Sequence, residues 1–434
     1  MSMMLRACLR RPLLIASLLA GSNQLAAANL IEIYDIAVER DSVIQATIAQ
    51  YEAARQALPL ARSALLPNVG LSADKAYTRD YDTSERYESD SITATLTQNI
   101  YAPAATAAVR SARLNIAQAA ETLLEARQNL MFRTAQAYFN ILTADEAYRA
   151  ASSSREAIAR QTEQAERRFE VGLTAVTDVK EAQAQLDLAI ANEVVAENQL
   201  ALAKESLRVI IAQEVPPLAK LREDAKLNSP TPPGLAEWLK IAEENSPRLE
   251  IARLDYELAR MDVKSERAGR KPQVSLIGGY TNSTTESDNF PDREQAQLKL
   301  QLNYSLYTGG QTSALIHQAK SRSQQASLNY ETVRRAVEQD TRDAFLSVIA
   351  DISQAKALQQ ALKSTEVARE ATQAGFDAGT RTAVEVLVSL RDTFSAYADY
   401  AAARHQFVLR SLQLRQAAGI LIEDHLEAVN RSLE

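Results

Sequence analysis

The chain has 434 residues, with 48 Lys and Arg against 55 Asp and Glu for a net charge of −7, and a single cysteine. That acidic balance argues against nucleic acid as a partner, and one cysteine cannot build a disulfide framework. Only 12 Gly and 12 Pro leave few breaks for many-loop architectures, while abundant Ala, Gln, Glu, Arg and Leu point to very long helices.

Residues 1–28 carry Arg6, Arg10 and Arg11, an apolar run from Leu13 to Ala20, and small residues at Ala26, Ala27 and Ala28. This is the three-part pattern of a secretory signal, expected to be cleaved after Ala28. The apolar run is too short to cross ~30 Å of hydrocarbon. Cleavage would remove Cys8, leaving a mature chain without a thiol or a lipid-attachable N-terminal cysteine, and would bring the net charge to about −10.

The remainder reads as a duplication. Arg62 to Leu71 aligns with Arg267 to Leu276, Tyr101 with Tyr307, and Phe169, Gly172, Asp178 and Val179 with Phe376, Gly379, Glu385 and Val386. The expected units are repeat 1 over 29–214 and repeat 2 over 235–434, joined by a proline-rich linker over 215–234. In each unit a helical pattern runs to a proline, Pro67 or Pro272, after which apolar residues alternate with polar ones. Hairpins are expected over about 67–101 and 272–307, with polar tips at 79–89 and 282–293 and strands of the length of a tilted membrane strand. Gly278-Gly279 and Gly309-Gly310 read as turns or bulges. From Pro103 to Gly172, and from about Gln311 to Gly379, unbroken helical patterns predict rods on the order of 100 Å. Each turns at its glycine, and a second helix returns to about Ile211 or Ile422.

Two such hairpins cannot close a barrel, and an open sheet edge in lipid leaves backbone groups unpaired. Either several chains share one barrel, with a threonine-and-asparagine face lining a wet lumen and leucines meeting lipid, or the strands form a soluble half-buried sheet on a helical stalk. The long helices taken alone also fit an antiparallel coiled coil. His317, His405 and His425 lack metal-ligand spacing, no glycine loop has phosphate-binding form, and Trp238 reads as a packing residue. No cofactor, metal or catalytic constellation is expected, which weighs against a secreted enzyme. A periplasmic helical scaffold or adaptor without a pore stays as the alternative to a channel.

The tip motifs at 169–179 and 376–386, Leu65 to Leu71, Ala137 to Asn140 and Tyr307 to Gln311 together resemble the TolC family over essentially all of 29–434. The resemblance implies a mainly α, internally duplicated protomer. It also implies a homotrimer whose twelve-stranded outer-membrane barrel continues into a twelve-helix tunnel across the periplasm. The implied partners are outer-membrane lipid, a periplasmic membrane-fusion adaptor at tip residues Gly172, Leu173, Gly379 and Thr380, and an inner-membrane pump of ABC or RND type. The implied activity is passive efflux and type I protein secretion. The family's periplasmic gate falls on Thr177, Asp178, Arg381, Gln161 and Phe376, with Glu385 forming an acidic entrance ring. Phe376 stands where the family pattern has a tyrosine, and Val388 where it has a second acidic residue, which implies a weaker lock and a thinner acidic ring.

Overall fold

The computed structural model describes residues 27–82, 84–225, 227–286 and 291–434. The expected signal lies outside them up to Ala26. Ala28 is already placed in the fold: its amide donates to the Pro217 carbonyl at 2.7 Å and its carbonyl accepts from the Ala219 amide at 3.0 Å, contacts that cleavage after Ala28 would remove.

Each half opens with short helices, continues through a β-hairpin and ends in a long helical hairpin. The first comprises α1 (Leu30–Arg40), α2 (Ser42–Arg55), α3 (Ala57–Ser63), β1 (Asn68–Arg79), β2 (Arg86–Tyr101), α4 (Pro103–Glu170) and α5 (Val176–Ile211). The second comprises α6 (Leu235–Asn245), α7 (Pro247–Ala268), β3 (Gln273–Thr285), β4 (Arg293–Asn303), α8 (Gln311–Asp377), α9 (Ala383–Ala417) and α10 (Glu423–Asn430). The opening helix of the first half is broken where one continuous pattern is expected. Buried Asp41 caps α2 by accepting from the Ile44 amide at 2.9 Å, and also receives Arg133 of α4 at 3.1 Å. The final return helix stops at Ala417, short of Ile422, because Gly419 turns the chain at φ +75°.

The long helices form a wall rather than a globule. Helix α4 packs against α2, α3 and α5 and also against α7 and α9, which in turn pack against α8. The main core sits at mid-height, where Leu130, Tyr138, Phe139 and Leu142 of α4 meet Val348 of α8, Leu412 of α9 and Leu207 of α5. The linker and short helices wrap this level. The Tyr138 hydroxyl donates to the Ala219 carbonyl at 2.6 Å, the Trp238 indole N–H to the Pro232 carbonyl at 2.8 Å, and Lys220 reaches Glu146 at 2.8 Å. Trp238 is buried, as a packing residue should be.

The hairpins join into one antiparallel sheet of order β1-β2-β3-β4. Gly278 and Gly279 are mid-strand rather than turn or bulge residues: they pair with Leu96 and Thr95 on β2 and with Leu298 and Gln297 on β4. The irregularity falls instead between Asn99 and Tyr101. Gly309 and Gly310 do make the turn into α8, at φ +60° and +88°.

Candidate functional site: a two-faced sheet and two helical tips

Directly opposed residues in an antiparallel ladder share a face, so the register sorts every side chain. One face carries Val69, Leu71, Ile92, Leu96, Leu276, Leu298, Leu300 and Leu302. Leu71 and Leu298 are 76% and 72% exposed, an apolar surface that none of the described residues covers. Exposed tyrosines bracket this band, with Tyr77 and Tyr280 towards the hairpin tips and Tyr304 and Tyr307 towards the helices. This is the girdle pattern of a membrane strand. The opposite face is polar: Thr93 bonds to Thr281 at 3.2 Å, and Asn99 Oδ1 accepts from Ser275 at 2.9 Å and from Gln273 at 3.1 Å.

Each helical hairpin turns through a glycine at positive φ, Gly172 at +75° and Gly379 at +77°. A Cβ at either would meet nothing within 4 Å, so backbone conformation rather than space demands glycine. Both turns close as helix C-caps. The Leu173 amide donates to the Arg168 carbonyl at 2.8 Å, and the Thr380 amide to the Gly375 carbonyl at 2.8 Å. Leu173 and Val171 project into solvent, 76% and 68% exposed, and Gly379 and Thr380 are exposed beside them.

The expected gate residues lie at or near these tips, and Asp178 and Arg381 are each held within their own hairpin. Asp178, in the first turn of α5, accepts from the Thr174 hydroxyl, and Thr177 beside it is exposed. Arg381 reaches Glu385 one turn along at 2.6 Å, with side chains 56% and 41% exposed. Glu385 is also the acidic member of a capping box with Thr382. The Thr382 amide, and after it the Arg381 guanidinium, hold the Glu385 carboxyl below the usual carboxylate range. Gln161 is half-buried on α4, next to buried Thr162, whose hydroxyl contacts the Ala182 carbonyl of α5 at 3.3 Å. Among the described residues no hydrogen bond or ion pair joins Asp178 to Arg381.

Two tip residues carry no signal in a search for gate chemistry. The Arg168 guanidinium lies 4.7 Å from the centroid of the Phe376 ring, linking the end of α4 to the end of α8. A Cβ at Gly375 would stand 2.7 Å from Arg381 Cγ, so that glycine lets the arginine stem cross the last turn of α8. A glycine inside a helix costs about 1 kcal/mol, and that cost is the one trace of this close approach in the sequence.

Comparison with known proteins agrees with this geometry. A family model described as outer membrane efflux protein matches residues 33–213 and 238–420. Outer membrane protein TolC of Vibrio cholerae serotype O1 is 36% identical over 431 residues, covering 98% of each chain. Alkaline protease secretion protein AprF of Pseudomonas aeruginosa is 27% identical over 93% of this chain and 87% of its own length. Among solved structures, the Campylobacter jejuni CmeC outer membrane channel superposes with a TM-score of 0.79 at 16% identity, over 94% of this chain and 90% of that one.

Proposed function

Because this chain belongs to the outer membrane efflux protein family, we propose that three copies of it close one passive duct from the periplasm through the outer membrane. The observation that carries this reading is the pair of free sheet edges. Among the described residues strands β1 and β4 each have one neighbour only, the sheet bears a lipid-type face, and lipid offers no partner for unpaired N–H and C=O groups. Joining β4 of one copy to β1 of the next removes every edge, and three copies give twelve strands. The wall has matching unpartnered edges. Leu60, Val194, Leu202 and Val209 are exposed on α3 and α5, and Leu328, Leu346, Ile349 and Val367 on α8. A pore-free periplasmic scaffold leaves the exposed leucine face without an explanation.

In this reading the polar sheet face lines the lumen. The tips carrying Gly172, Leu173, Gly379 and Thr380 receive a periplasmic adaptor, itself coupled to an inner-membrane ABC or RND-type pump. Efflux follows from the family, and protein secretion is supported by the likeness to AprF. The tips also form the gate. In a ring, the Asp178 tip of one hairpin neighbours the Arg381 tip of the next, and an Asp178–Arg381 exchange closes the mouth with help from Thr177, Gln161 and Phe376. Glu385, repeated around the same mouth, gives preference for cations. The chain acts as a conduit and not as an enzyme.

Envelope fractionation tests the duct: the protein should need detergent for extraction and migrate as a heat-dissociable trimer, and a detergent-free soluble monomer would refute it. Planar-bilayer recording tests the gate. Asp178→Ala combined with Arg381→Ser should raise single-channel conductance, and unchanged conductance with intact trimers returns Asp178 to a helix-start role.

A further inference from the structure

We propose that Arg168 is a gate residue: its guanidinium, stacked on Phe376, latches the two helical hairpins of one protomer together at their tips. The inference rests on the gate reading above and adds to it a contact inside each copy.

The contact spans the wall. Along most of their length α4 and α8 are connected through α9, which packs on both, yet at the tips the last turn of α4 touches the last turn of α8 directly, at 4.7 Å. That distance is inside the ~6 Å range over which a ring face attracts a cation. Both residues are built into the turns. The Arg168 carbonyl accepts from the Leu173 amide at 2.8 Å, and the Phe376 carbonyl from the Gly379 amide at 2.9 Å. A movement that separates the tips therefore carries Arg168 and Phe376 apart as parts of their own turns.

The chemistry favours the ring as Arg168's partner. Neighbouring Arg167 is bonded to Glu163 in its own helix, whereas among the described residues Arg168 makes no ion pair. Phe376 lacks a hydroxyl and has only its face and edge to offer. A phenylalanine ring under an arginine supplies a closing contact at the position where a tyrosine would supply a hydrogen bond. The competing role for Arg168 is purely local, because a cation in the last turn of a helix also favours the carbonyl end of the dipole. That role does not depend on Phe376, which makes the two separable.

The test is a double-mutant cycle on the full-length channel in planar bilayers, read as the ratio of open to closed time. Arg168→Gln and Phe376→Leu should each raise the open ratio about 2- to 5-fold per latch, or roughly tenfold to a hundredfold if three latches release together. The double variant should open no further than either single variant. Arg168→Lys, which keeps the charge and a similar stem, should fall between wild type and Arg168→Gln. It also serves as the reading variant if Arg168→Gln impairs assembly. The proposal is overturned if the two single effects add, if Arg168→Gln acts equally in the Phe376→Leu background, or if intact trimers show no change in any variant. Recording Asp178→Ala with Arg381→Ser in parallel separates the two ideas. If that pair opens the channel and Arg168→Gln does not, the latch alone fails; if neither does, the gate reading falls with it.

Discussion

Arginine placed at Leu300 should damage the protein far more than arginine placed next door at Gln301. Leu300 pairs with Leu276 on the apolar face and is 67% exposed within the chain, whereas Gln301 points to the polar face and bonds to Asn303 at 3.1 Å. Depth follows from the strand itself. Along the chain Leu300 lies midway between Tyr304 and Ala296, and Ala296 pairs with Tyr280. Four residues of strand span about 13 Å, or roughly 9–10 Å along the membrane normal at a ~45° tilt, so Leu300 sits near the middle of the apolar band. A cation there costs about 2–4 kcal/mol per copy, whereas the same group facing a wet lumen keeps its hydration and costs much less. Urea titration of refolding into lipid bilayers, with the yield of heat-dissociable trimer as a second readout, measures the difference. Equal destabilisation by Leu300→Arg and Gln301→Arg, or tolerance of both, would falsify the assignment of this face to lipid.

Three further outcomes are expected. Gly379→Ala should cost about 1–2 kcal/mol from the left-handed backbone alone, with Gly379→Asn milder, seen as faster amide exchange at Thr380 and not as a lower melting temperature. Tyr138→Phe removes the donor to the Ala219 carbonyl and should cost about 1–3 kcal/mol, with limited proteolysis showing earlier cleavage in the 215–234 linker. Burial, with Arg404 adding to it, lowers His405 to about 4 from an ordinary 6.5. The sign is that of a group charged more readily when unfolded: its stabilisation is complete above pH 6.5 and is lost as pH falls through the window from 6.5 to 4. The total is on the order of 3 kcal/mol, and His405→Gln should flatten the acid side of the stability profile measured by thermal melting.

Where local chemistry decided the structure, the sequence was a sufficient guide. The alternation of Leu298, Leu300 and Leu302 marked the apolar face because side chains alternate at a period of two. The φ demands of Gly172 and Gly379 placed the tips. What it could not show depends on distant neighbours. The break at Asp41 is joined by Arg133 from α4, and Gly419 is needed because a Cβ there would stand 2.4 Å from the Asn245 carbonyl oxygen. Gly278 and Gly279 misled because glycine marks turns on average, whereas here the strand simply runs through them. The tip turns were legible from the repeated motif, but not the hairpin-internal partners that hold Asp178 and Arg381. The Arg168–Phe376 contact joins residues from opposite halves of the chain by a ring face, which leaves no spacing pattern to read.

Those hairpin-internal partners limit how tightly the proposed gate can close. Asp178 already accepts from Thr174, and Arg381 already holds Glu385 at 2.6 Å, so an Asp178–Arg381 contact between copies exchanges bonds instead of adding them. An exposed pair contributes about 0–1 kcal/mol even without that competition. Three such pairs therefore bias the mouth towards closure by only a few kcal/mol. Release must come from something that binds the open arrangement better, by about the same amount. The tips carry the means for it in Leu173 and Val171, 76% and 68% exposed, since burying one such side chain is worth about 1.5–3 kcal/mol. An adaptor that could cover Leu173 in three copies only when the mouth is open would outweigh the lock without touching Asp178 or Arg381. A gate held by exchanged surface bonds and placed beside exposed apolar turns is thus matched in energy to opening by docking.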